Sequence, residues 1–101
     1  MNKIWSHLYR TKLYENKFDL TREDIIKIMD RDKVCVYCGA NTKLSLDHII
    51  PITKGGDTTY LNMVLACMTC NSSKHNKDVV EWCEIKGYKI PEIINLCLIK
   101  N

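Results

Sequence analysis

The sequence predicts a small α+β domain closed around a metal. Three observations carry this: two C-x-x-C pairs, two short strand-like runs between them, and capped helical patterns on either side. At 101 residues the chain suits one domain, in which a core of marginal size gains from a covalent or metal staple. We expect an N-terminal helical extension over 1–32, a stapled core over 33–78 and C-terminal helices over 79–101.

Each element has its own signal. Residues 3–17 interleave Trp5, Leu8, Tyr9 and Leu13 with Lys3, Arg10, Lys12 and Lys17, which reads as an amphipathic helix or a basic arm. Thr21 followed by Glu23 and Asp24 starts a helix, with Leu20 able to staple onto Ile25. Ile25, Ile28 and Met29 give that helix an apolar stripe ending near Asp32. Lys33 to Gly39 reads as a short strand and knuckle, and Leu44 to Ile50 as a strand. Pro51 to Tyr60 is a loop, marked by Pro51 and Gly55-Gly56. Asn62 to Ala66 reads as a second extended run, followed by a helix from about Thr69 to Asn76. Asp78 with Glu81 opens a helix ending near Gly87, and Pro91 suits the first turn of the last one.

Cys35-Val36-Tyr37-Cys38 and Cys67-Met68-Thr69-Cys70 each present two sulfurs from one turn, and four thiolates complete a tetrahedral zinc shell of the closed, structural kind. A disulfide or redox pair is the alternative. The 28 residues between Cys38 and Cys67 exceed what a simple ribbon needs, so the insert has a task of its own. Cys83 and Cys97 fall on apolar helix positions and read as buried free thiols.

The insert and the helix after it hold Asp47-His48-Ile49-Ile50-Pro51, Gly55-Gly56, Asn62 and Cys70-Asn71-Ser72-Ser73-Lys74. Over residues 33–78 this pattern resembles the HNH endonucleases, with their ββα-metal (His-Me finger) fold. The residue types suit such chemistry. Phosphodiester cleavage needs a base for water and a cation for the charge that builds on phosphate. Adjacent strand residues face opposite ways, so Asp47 can hold an ion while His48 meets the water. Hard oxygen ligands from Asp47 and Asn71 favour Mg²⁺ or Mn²⁺.

The resemblance implies His48 as general base, Asp47 and Asn71 as ligands of the catalytic ion, and Asn62 as a brace that also orients the His48 ring. Asn71 stands where the family's name-giving pattern has His. His75, one helical turn on, is a further candidate ligand. Lys54, Lys74 and Lys77 are candidate phosphate contacts, with solvated helix charges as the plain alternative for Lys74 and Lys77.

The implied partner is DNA, expected to be double-stranded. Cutting both strands requires a homodimer, a larger complex or sequential nicking. The net charge of +3 permits a nucleic-acid partner without demanding one. A zinc-containing nucleic-acid-binding module without catalysis is the competing reading, and a protein-interaction knuckle the third. No run is long enough for a membrane span and no secretory h-region follows Lys3, so a cytoplasmic location in a bacterial or phage-infected cell is expected.

Overall fold

The computed structural model describes residues 17–100, so the amphipathic reading of 3–17 lies almost wholly outside the described residues. Its centre is a two-stranded antiparallel sheet. Strand β1 (Leu44–His48) pairs with β2 (Met63–Cys67), with Leu44 opposite Cys67 and His48 opposite Met63. The chain then enters helix α2 (Met68–Lys74) directly from β2, which completes a ββα unit.

Helix α1 (Arg22–Asp32) precedes the sheet and packs on one face of it. Its start is fixed locally: Thr21 Oγ1 accepts from Asp24 N at 3.1 Å, and Asp24 Oδ2 accepts from Thr21 N at 3.0 Å. This reciprocal pair satisfies two backbone donors that the first turn leaves open. Of the predicted stripe, Ile28 is buried and Ile25 half-buried, whereas Met29 is exposed. Alternation along the strands sends Leu44, Leu46, Met63 and Leu65 toward Ile28.

The other face belongs to the main core. Val64 and Ala66 meet Ile49, Val79, Trp82, Cys83, Ile94 and Cys97 there. Helices α3 (Val79–Lys86) and α4 (Glu92–Lys100) supply the last five. Asp78 caps α3 through a 3.0 Å bond from Glu81 N, and Gly87 closes it at φ 74°, a left-handed value that glycine adopts without strain. With both faces covered, all five residues of β2 are buried.

Two expectations change. Lys33–Gly39 contains no strand; it is a turn in which Cys35 N donates to Ala40 O at 2.8 Å and Gly39 N to Cys35 O at 3.0 Å. The reason is steric. In a strand, residues three apart face opposite ways, so Cys35 and Cys38 converge only if the chain turns. The second change is at the end of β1, which stops at His48 because the next two residues bond to Asn62 instead of continuing the ladder.

Candidate metal centre and nuclease site

The two knuckles bring four sulfurs together. The Sγ atoms of Cys35, Cys38, Cys67 and Cys70 all lie within 4.8 Å of one another. Cys38 and Cys67 approach to 3.6 Å, close to the roughly 3.8 Å edge of a tetrahedron with ~2.3 Å metal–sulfur bonds. The local electrostatics fit a cation. Burial pushes the Cys35 thiol up, but backbone N–H groups of Cys38 and Cys67 outweigh it and bring it down to about 7. Burial and then the crowding sulfurs of Cys38 and Cys67 drive Cys70 the other way. Four thiols this close ionise together only around a positive ion. Cys83 and Cys97 stand apart from this cluster and are wholly buried, as the sequence suggests.

At the far end of β1, Asp47, His48, Asn71 and His75 line one open cavity of about 330 Å³, together with Pro51 and Ile52. The ββα unit therefore brings together four of the residues singled out from the sequence. Asn71 Nδ2 donates to Ser45 Oγ at 3.2 Å, so Oδ1 is the atom it can offer a cation. His75 lies just past the end of α2, at φ 48°, and is exposed. It reaches the cavity from the helix terminus, not from a further helical turn.

Asp47 faces inward. Its Oδ2 sits 3.3 Å from Lys74 Nζ and accepts from Tyr37 Oη at 3.4 Å. Burial lifts its carboxyl above the ordinary carboxylate value, while Lys74 and Tyr37 pull against that. Burial, reinforced by Asp47, also raises the Tyr37 phenol, which keeps it a donor.

Lys74 departs from expectation. It has no exposed surface, and its ammonium donates to the His48 carbonyl at 2.8 Å. With its ammonium buried against Asp47 Oδ2 and the His48 carbonyl, it offers no exposed charge to a phosphate. Lys54 and Lys77 are exposed, and Lys77 Nζ also bonds Ser73 O at 2.8 Å.

Asn62 is 1% exposed and grips the loop after β1 with its whole carboxamide. Oδ1 accepts from Ile50 N at 2.9 Å, while Nδ2 donates to Ile50 O at 3.0 Å and Asp57 O at 2.7 Å. The hydrogen bond to His48 Nε2 comes from elsewhere: Thr58 Oγ1, at 2.9 Å. A single Thr in a Gly-containing loop carries no local signal for this role. Tyr37, between the two cysteines of a knuckle, likewise carries no local signal for its contact with Asp47.

Residues 35–77 match the family model described as HNH endonuclease. This segment is similar to HNH endonuclease domains. Its bounds enclose both cysteine pairs, both strands and α2. The chain is also similar to two curated relatives. One is the "CRISPR-associated endonuclease Cas9" of Corynebacterium diphtheriae, 36% identical over an alignment of 67 residues, covering 59% of this chain and 6% of that protein. The other is the protein of the same name from Actinomyces naeslundii, 30% identical over an alignment of 89 residues, covering 84% of this chain and 8% of the relative. The chain thus spans less than a tenth of the length of these relatives. Among the described residues, no helix is long and apolar enough to cross a membrane.

Proposed function

We propose that this chain is a metal-dependent DNA endonuclease in which His48 activates the attacking water. The observation that carries the reading is the shared cavity: His48, Asp47 and Asn71 line one opening within the segment that matches the HNH model. His48 takes a proton from water, the resulting hydroxide attacks phosphorus, and the bond from phosphorus to the 3′ oxygen breaks as that oxygen takes a proton from a solvent water. The products carry 5′-phosphate and 3′-hydroxyl ends.

Asp47 and Asn71 would hold the divalent cation, Mg²⁺ or Mn²⁺, with His75 as a further donor. Such an ion neutralises charge on the phosphate and on the departing oxygen. The donor set fits a weakly held ion. A single carboxylate, already shared with Lys74, gives little net negative charge. Magnesium sites of this type rely on substrate phosphate to complete them. The cysteine cluster would hold zinc in a purely structural role, since all four positions around the ion come from protein. The names of both relatives, each an endonuclease, support the nuclease reading.

The test is incubation with supercoiled plasmid and Mg²⁺ or Mn²⁺, with and without EDTA. We expect nicking that EDTA abolishes. His48→Ala should lower the rate by roughly 10²–10⁴-fold while circular dichroism and DNA binding stay unchanged. Salt-dependent DNA binding with no cleavage under any ion would replace the proposal with the non-catalytic binding module.

A further inference from the structure

We infer that Thr58 is a positioning residue for His48, and that it is held in place by residues 17–19, which lie outside the matched HNH segment. The inference rests on the proposed role of His48 and extends it to a part of the chain that the family match does not cover.

Thr58 is 5% exposed, so its hydroxyl meets the ring away from bulk water. The 2.9 Å contact to Nε2 fixes one end of the imidazole. A ring attached only through Cβ rotates about two torsions, and a second anchor on Nε2 removes most of that freedom. Reactions that need a base within hydrogen-bond reach of water lose rate steeply when the base is misplaced by an ångström. Asn62 holds the loop at Ile50 and Asp57 but leaves this ring anchor to Thr58.

Thr58 is in turn fixed from the N-terminal side. Phe18 and Thr58 form a parallel bridge. Thr58 N donates to Lys17 O at 2.9 Å, and Asp19 N donates to Thr58 O at 3.1 Å. Lys17 N donates to Asp57 Oδ1 at 2.8 Å, which locks the neighbouring residue as well. Both backbone groups of Thr58 are therefore satisfied by a segment that begins the path into α1. That segment works as a latch: it sets the height of the Thr58 hydroxyl, and the hydroxyl sets the ring.

Three variants of the full chain test this. Thr58→Val keeps the shape and removes the hydroxyl. Thr58→Ser keeps the hydroxyl. Asp57→Ala removes the side-chain acceptor for Lys17. Steady-state cleavage should show kcat about tenfold lower in Thr58→Val, KM for DNA within about twofold, and recovery to near wild type in Thr58→Ser. Asp57→Ala should lower kcat in the same direction by a smaller factor. Thermal melts confirm that each variant is folded. An independent readout is the ¹⁵N resonance of His48 Nε2, which should move in Thr58→Val and return in Thr58→Ser.

An unchanged kcat and an unmoved Nε2 signal in Thr58→Val would overturn the positioning role. An unchanged kcat in Asp57→Ala would overturn the latch. If the wild type cleaves no polynucleotide, the nuclease reading fails by itself, while the nitrogen resonance still decides whether Thr58 holds the ring.

Discussion

The Lys74 ammonium lies 3.3 Å from Asp47 Oδ2, in an ion pair that hides the lysine completely and leaves the aspartate 7% exposed at its side chain. The same nitrogen donates to the His48 carbonyl, so one buried cation joins α2 to the end of β1. Removing one partner of a buried pair strands the other charge, which costs about 3–5 kcal/mol. We expect Lys74→Ala to lower unfolding free energy by that amount in urea titrations. Lys74→Met combined with Asp47→Asn should recover part of it, because no charge is then left without a partner.

The exposed lysines should behave differently. Lys54→Ala and Lys77→Ala should each weaken DNA binding uniformly across sequences and reduce the salt dependence of log K by about one unit of slope. Lys74→Met should leave that slope unchanged. Fluorescence anisotropy over a series of salt concentrations measures all three, and a reduced slope for Lys74→Met would mean that its charge reaches the phosphates after all.

The loop after β1 should be sensitive at two positions. Asn62→Ala removes all three loop bonds of a buried carboxamide, and a loss of about 3 kcal/mol is expected from the polar groups left without partners. At Gly56, a Cβ would overlap the Ile50 carbonyl oxygen and crowd Asn62 Nδ2. Backbone on one side and a fixed amide on the other leave no room to relax. Gly56→Ala should therefore destabilise by at least about 1–3 kcal/mol and displace the loop that bears Thr58. Chemical denaturation checks both.

The cysteine cluster should hold one zinc per chain. Elemental analysis measures the stoichiometry. Chelation should unfold the protein, and extraction should speed up as pH falls, because protons compete with the ion for thiolate sulfur. Zinc in sites of this kind contributes roughly 10–16 kcal/mol of apparent binding free energy, so Cys35→Ser should unfold or aggregate. A soluble Cys35→Ser protein with a cooperative melt would contradict the staple.

What could be read in the sequence was local chemistry. Thr21, Asp78 and Gly87 mark helix ends because their partners lie within a few residues. The cysteine spacing announced a cluster because each pair is built by a single turn. Residues whose role depends on distant chain were not legible. Lys74 sits among polar neighbours at a helix end and looks solvated; only the docking of α2 on β1 buries it. Thr58 gained its partner from His48, ten residues away, and its supports from Lys17 and Asp19 across the loop. The strand expected at Lys33–Gly39 failed because β-favouring Val34, Val36 and Tyr37 were outvoted by the need to turn two sulfurs inward.

A two-stranded ribbon has two open borders, and an open border invites a strand from another molecule. Here the outer border of β2 is already occupied. Arg31 Nη2 donates to Met63 O at 2.9 Å, Asp32 Oδ2 accepts from Leu65 N at 2.9 Å, and Val36 N donates to Leu65 O at 3.0 Å. Side chains at the end of α1 and one peptide of the first knuckle thus imitate a third strand. Disturbing Asp32 would expose a short, wholly apolar strand to its own kind, so its first symptom should be self-association at high protein concentration.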